Sequence, residues 1–255
     1  FAGVFTPAIV YYFAAGYMPE FRHGWGIPTA TDIAFAIGVI TMLGNMVSSA
    51  MKAFLAALAV IDDLIAIVVI ALFYGAGVNF MDLIAAAAVT GLLVYTNKQG
   101  YLRPLPYCVL GLVLWYLVLK SGVHATIAGV VLAMTIPFKG EVLDKVVYPM
   151  EEWAHALKNW VNFFIIPLFS FLNAGVSFAD FSMENLFHPV IIGVSLGLIL
   201  GKQLGIFSAV YILVQSKAIK MPTNTTWPEI YGTAILCGIG FTMSLFVATL
   251  AFPPG

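Results

Sequence analysis

Apolar residues run through this chain in blocks, and the polar ones gather between the blocks. Nine apolar segments stand out, at roughly 1–17, 27–44, 54–74, 80–95, 105–118, 121–137, 159–178, 189–214 and 231–252. About 20 consecutive apolar residues are what a helix needs to cross a bilayer core. The 54–74 run has 21 residues and, apart from one pair of aspartates, no charge. The pattern therefore predicts an all-α polytopic membrane protein, with segment boundaries good to about two to four residues.

Composition carries the same conclusion. Hydrophobic residues make up 62% of the 255 and charged residues 9%, with a mean hydropathy of +1.00. A soluble domain averages about 25% charged residues, so this chain cannot cover its surface with polar groups and belongs in a lipid bilayer. The formal charge of -1 and the lack of a Lys/Arg-rich block exclude nucleic acid as a partner. The two cysteines, Cys108 and Cys237, lie far apart in apolar runs without CxxC spacing and read as small buried hydrophobes. Phe1 opens inside an apolar run with no initiator Met and no basic leader, so the native protein is expected to start earlier.

Basic residues in the loops set the orientation. Alternate loops hold Lys52, Lys98, Arg103, Lys139, Lys145, Lys158, Lys217 and Lys220 on one side, against Arg22 and Lys120 on the other. Eight against two predicts that the first side is cytoplasmic.

The remaining basic residue, Lys202, lies at the centre of the 189–214 segment. Asp62 and Asp63 sit in AVIDDLIA (59–66), beside the midpoint of the 54–74 segment, and Asp32 lies within 27–44. An ionised group at the centre of a spanning helix costs roughly 2.5–3.5 kcal/mol on insertion scales, and such residues usually face a cavity on an ion or proton pathway. Four of them add up to on the order of 10–14 kcal/mol, which mutual pairing or water access must offset. A buried salt bridge that only fixes helix register is the competing reading, but one lysine cannot neutralise three carboxylates.

Two segments carry signs of an interrupted backbone. In 27–44, Pro28 cannot continue a preceding helix, and Thr31 and Asp32 are N-cap types ahead of the apolar run from Ile33. A break near Thr31 is predicted. In 231–252, CGIGFTMS puts Gly238 and Gly240 near the middle, and glycine permits non-helical backbone there. Non-helical backbone at membrane depth survives only where protein or a water-filled cavity satisfies it. Gly197, Gly201 and Gly205, spaced by four, read instead as a close helix-packing strip. Interrupted segments in corresponding positions point to an inverted-repeat transporter with its site at midplane. The first core repeat would be 1–74 and the second 189–255, joined by the helices and cytoplasmic loop of 75–188. By that analogy a last helix is expected beyond residue 255.

The motifs PTATDIAFAIGV, AVIDDLIAIVVIALFY, SGVHATIAGVVLAM, FFIIPLFSFLNAGVS, GLILGKQLGI and LCGIGFTMSLFVATLAF resemble, in order and nearly throughout the chain, the NhaA-type bacterial sodium/proton antiporters. That family is itself a type case of the inverted-repeat architecture. The resemblance implies twelve helices, of which these nine are the third to the eleventh, with two crossed broken helices whose half-helix ends are compensated by Asp32 and Lys202. It implies that Asp63 is the cation ligand, with Asp62 beside it and close to the lysine. The activity implied is electrogenic, pH-regulated exchange of Na+, and of Li+ alongside it, for H+ by alternating access in the bacterial inner membrane. The ions are cargo, no cofactor is expected, and the protein is not an enzyme. A homodimer is left open.

Elementary chemistry fits those roles. Na+ is a hard cation that suits oxygen ligands, and Asp63, Asp62 and the Thr31 hydroxyl supply them. Neighbouring helical positions diverge by about 100°, so Asp63 can face a cavity while Asp62 turns toward Lys202. Protons compete with the cation for the same carboxylates, and that competition is the exchange. Glu151, Glu152, His155 and Lys158 share one helix face before residue 159. They read either as a pH-responsive cluster, as the family's cytoplasmic funnel implies, or as a solvated interfacial helix; His124 is a second pH candidate. The chain departs from the family pattern at Lys158 and Asn159, in KNWV, where histidine and proline are usual, and at Gln203, where proline is usual. A sodium-coupled symporter is the nearest other class. An intramembrane aspartyl protease would need two converging aspartates, but no GxGD motif is present and Lys202 would disturb a proton-sharing dyad.

Overall fold

A computed structural model describes residues 1–74, 79–142, 145–173, 185–221 and 225–252. It divides into two compact units, one formed by 1–66 with 168–255 and the other by 67–167. By length and composition, Ser49–Phe73, Phe80–Lys98 and Pro189–Gln215 can each cross a membrane, and two bent helix pairs pass the same test jointly. Shorter apolar helices are Ala2–Gly16, Pro104–Lys120 and Thr126–Thr135. The predicted 159–178 segment is a π turn, Val161–Ile165, followed by helix α8 (Ile166–Asn173); its residues 174–178 lie outside the described residues.

The first unit holds both bent pairs. Helix α1 (Ala2–Tyr11) runs through a π turn, Tyr12–Gly16, and leads to a 3-10 helix, Pro19–Thr29. Helical turns stop at Thr29 and restart at α2 (Ile33–Met42), with a 41° bend. The break thus falls at residues 30–32, and Pro28 is not its cause. Its ring holds φ near -65°, which a 3-10 helix accepts, so the helix passes through it. The first half also starts at Pro19 rather than near 27, which takes Arg22 out of the predicted loop and into helix. Tyr11 in α1 donates to the Phe21 carbonyl at 2.8 Å, and α1 packs on this irregular helix.

Helix α3 (Ser49–Phe73) carries the aspartate pair, and the Ser48 hydroxyl caps its start by accepting from the Met51 amide at 3.2 Å. The lysine helix is continuous but not uniform. It comprises α9 (Pro189–Leu196), a π turn (Gly197–Gly201) and α10 (Lys202–Gln215). Its glycine strip lies on α1. A Cβ on Gly201 would meet Pro7 Cα at 2.6 Å, and one on Gly205 would meet the Ala2 carbonyl at 2.5 Å, so only glycine allows this approach. Helix α11 (Trp227–Cys237) starts from a Thr226–Glu229 capping box and is followed, after a 42° bend, by α12 (Phe241–Ala251). Ala36, Ile40, Leu55, Ile206, Ala234 and Cys237 form the apolar core that joins these helices.

Within 67–167, α4 (Phe80–Lys98), α5 (Pro104–Lys120) and α6 (Thr126–Thr135) pack around Leu93, Tyr107 and Leu114. The predicted 121–137 segment turns helical only at Thr126, after a turn in which Gly122 takes φ +81°. Two short strands, β1 (Gly140–Val142) and β2 (Lys145–Val147), pair antiparallel before α7 (Pro149–Trp160). Cys108 is exposed on α5, whereas Cys237 is buried. The expectation of two buried cysteines fails at Cys108 because, in an apolar helix, an exposed position and a core position look alike in sequence.

Candidate ion-binding site

The two interruptions meet. The Asp32 amide donates to the Ile239 carbonyl at 2.7 Å, linking the break after Thr29 to the break after Cys237. Helix ends carry unsatisfied amides and carbonyls, and each break supplies groups to the other. Asp32 Oδ1 accepts from the Phe35 amide at 3.1 Å, capping α2. Its Oδ2 accepts from the Thr242 amide at 3.1 Å and hydroxyl at 2.5 Å, capping α12. In return, the Ser244 hydroxyl of α12 donates to the Ile27 carbonyl at 3.2 Å, near the end of the 3-10 helix.

Gly238 and Gly240 are not needed for unusual backbone. Both have right-handed helical angles, φ -74° and -97°. Space is the constraint. A Cβ on Gly238 would meet the Leu198 carbonyl oxygen at 2.7 Å, and one on Gly240 would collide with Ser244 Oγ. Leu198 belongs to the π turn just before Lys202, so the second break is pressed against the irregular turn of the lysine helix.

Lys202 reaches into this junction. It is wholly buried, and Asp62 is 1% exposed; Lys202 Nζ and Asp62 Oδ2 are 2.6 Å apart. The ammonium also donates to Thr31 Oγ1 at 2.6 Å. Thr31 Oγ1 lies 3.1 Å from Asp62 Oδ2 and 3.0 Å from the Cys237 carbonyl oxygen at the end of α11. Thr31 thus stands between the Lys202 ammonium and the carbonyl at the α11 C-terminus. The next residue, Gln203, accepts from the Tyr231 hydroxyl at 3.0 Å and ties α10 to α11.

Asp63 is different. Its Oδ1 is buried and has no hydrogen-bond partner among the described residues. A buried polar oxygen without a partner costs about 1–3 kcal/mol, and more if charged. Asp62 is paired through Oδ2, Asp32 is committed to two helix N-termini, and among the described residues Asp63 Oδ1 is the buried side-chain oxygen left without a partner. No arrangement of three or more His, Cys, Asp or Glu side chains suited to a metal occurs among the described residues.

The remaining predicted residues lie elsewhere. Glu151, Glu152 and His155 are exposed on α7, in the 67–167 unit. His124 occupies the turn before α6 with Nδ1 3.2 Å from Thr126 Oγ1, and burial pulls its pKa below the ordinary 6.5. Thr242, Ser244 and the π turn were not singled out from sequence. A threonine and a serine two and four residues after Gly240 in FTMS were the available signal.

The family profile described as Na+/H+ antiporter 1 matches residues 1–254. The chain belongs to this antiporter family. Its relatives include proteins named Na(+)/H(+) antiporter NhaA from Caulobacter vibrioides (48% identical, over 98% of this chain and 61% of the relative) and Pseudomonas putida (49%, over 99% and 64%). A third, from Pseudomonas fluorescens, is 47% identical over 99% of this chain and 64% of its own length. The chain thus spans less than two thirds of the length of these antiporters. Family membership and the apolar helices together make it a membrane protein of a transporter family.

Proposed function

We propose that the protein to which this chain belongs exchanges Na+, with Li+ as a second cation, for H+ across the bacterial inner membrane. Asp63 is the primary cation ligand, Asp62 and the Thr31 hydroxyl contribute oxygens, and the same carboxylates take the proton when the cation leaves. The observation that carries this reading is the buried, unpartnered Asp63 Oδ1 next to an aspartate already neutralised by Lys202. A hard cation satisfies such an oxygen, and so does a proton, but not both together. Occupancy by one excludes the other, which is the requirement for exchange.

In the same reading, 1–74 and 189–255 are inverted core repeats and the two interrupted helices cross at the site. Asp32 offsets the positive N-terminal ends of α2 and α12, while the Lys202 charge serves the opposite ends. Access alternates by one bundle rocking against the other, and exchange is electrogenic and pH-regulated. Mutual capping of the two breaks supports a crossing that moves as one body.

The test is sodium-dependent collapse of an imposed pH gradient in vesicles containing the full-length protein. Asp63→Asn keeps the side-chain size and removes both charge and titratable proton, so exchange should be lost. Wild-type rates in correctly inserted Asp63→Asn would refute the assignment. Sodium uptake accompanied by proton movement in the same direction would instead identify a symporter.

A further inference from the structure

The Thr31 hydroxyl has one proton and two acceptors within reach. Asp62 Oδ2 is 3.1 Å away and the Cys237 carbonyl oxygen 3.0 Å. Thr31 is wholly buried, and both acceptors are protein groups. Its oxygen is fixed from the other side by the Lys202 ammonium at 2.6 Å, which leaves rotation of the O–H bond as its freedom.

The two acceptors differ in kind. A carboxylate is a charged acceptor, and hydrogen bonds to it are roughly twice as strong as neutral ones. The Cys237 carbonyl is an end group of α11. The carbonyls of the two residues before it in the last turn are served, Ile235 by the Gly238 amide at 2.9 Å and Leu236 by the Ile239 amide at 3.1 Å. For Cys237, Thr31 is the donor that reaches it among the described residues. Whichever acceptor the proton leaves is left weaker by one donor.

We infer that the Thr31 hydroxyl is a two-position switch that reports occupancy of the aspartate pair to the interrupted helix. It donates to Asp62 when the pair is free of cation and turns to the Cys237 carbonyl when a cation is bound. This rests on the proposal that the aspartates bind Na+. A cation there uses the negative charge that made Asp62 the better acceptor, and a hydroxyl that lends a lone pair to a cation must point its proton away. The switch closes the C-terminal end of α11 without moving a heavy atom. Two residues on, the Ile239 carbonyl accepts from the Asp32 amide, so the change is delivered where the two breaks meet. Thr31 is here a positioning residue, acting on helix geometry in addition to any contact with the ion.

Isotope-edited infrared difference spectroscopy reads the switch directly. Full-length protein carrying Cys108→Ala, with Cys237 as the labelled cysteine of the described chain, is prepared with carbonyl-13C cysteine and reconstituted in lipid. Spectra with sodium minus choline show the labelled Cys237 carbonyl band and, separately, the carboxylate bands that register cation binding. The expected result is a downward shift of the carbonyl band on sodium addition, retained in Thr31→Ser and lost in Thr31→Val when each protein is compared at the sodium concentration that gives it the same carboxylate change. A shift that survives in Thr31→Val, or carboxylate changes without any carbonyl shift in the Thr31 protein, overturns the switch. Absence of any carboxylate change in the Thr31 protein would instead remove the cation reading on which it stands. If Thr31→Val fails to assemble, the band shift in the Thr31 and Thr31→Ser proteins still decides.

Discussion

Asp32 and Thr242, 210 positions apart, are joined twice, through the Thr242 amide and its hydroxyl, both on Asp32 Oδ2. With Oδ1 on the Phe35 amide, one carboxylate caps two helices from different halves of the chain. Loss of an N-cap side chain costs about 0.5–2 kcal/mol, and here two caps go together. Asp32→Ala is therefore expected to destabilise the detergent-solubilised protein by about 1–4 kcal/mol, seen as a lower midpoint of thermal unfolding. Asp32→Asn keeps an oxygen acceptor for one helix only and should fall between. Equal midpoints for all three proteins would show that the caps contribute nothing.

The charges of this site were legible because a charge in an apolar run is conspicuous one residue at a time. Asp32, Asp62, Asp63 and Lys202 needed no partner to be noticed. Thr242 and Ser244 did, since a hydroxyl in an apolar helix looks like filler until the carboxylate of Asp32 and the carbonyl of Ile27 are brought to it. The 3-10 helix over Pro19–Thr29 reads as a loop from its glycines, prolines and polar residues, and contacts with α1, α9 and α12 hold it helical. The π turn before Lys202 is a matter of hydrogen-bond register, which composition does not encode, although such turns are frequent at functional sites.

Gly238 sets the distance between the second break and the lysine helix. Its φ of -74° suits any residue, so a side chain there meets a steric limit and no backbone strain. In Gly238→Ala the new methyl would stand 2.7 Å from the Leu198 carbonyl oxygen, a backbone atom that cannot rotate away. Overpacking of this kind costs about 1–3 kcal/mol, and the π turn carrying Leu198 must shift along with Lys202. Transport should drop more than stability does. Gly232→Ala, in the same helix α11 but with open space at its Cβ, is the control and should behave as wild type. Equal effects of the two substitutions would remove the close-contact explanation.

His124 gives a pH dependence with a definite sign. Burial lowers its pKa below 6.5, so between the folded value and 6.5 the unfolded chain holds the extra proton. Stability then rises with pH across that window; the contribution is complete above 6.5 and is lost as pH falls below it. Thermal midpoints compared at pH about 7.5 and about 5 should therefore drop further in wild type than in His124→Gln, which does not titrate. Identical drops would show that His124 does not contribute to the acid sensitivity.

Two roles for Lys202 can be separated by a single substitution. As a structural counter-charge it would only balance Asp62, 2.6 Å away, and do so in every state of the cycle. As a proton carrier it would release its proton when the cation displaces it from Asp62 and regain one afterwards. Arginine distinguishes them, because its guanidinium stays protonated at any working pH, whereas lysine is the basic side chain whose proton burial most readily loosens. Burial of Lys202 is complete, and its partners are a carboxylate and the Thr31 hydroxyl, both of which remain satisfiable by an arginine fork. The carrier role predicts that in Lys202→Arg the charge moved per sodium ion falls, even if sodium still crosses. The measurement is sodium-driven current on solid-supported membranes, wild type against Lys202→Arg, normalised to equal sodium flux. Unchanged current per sodium would leave Lys202 as a counter-charge alone and place every transported proton on the aspartates.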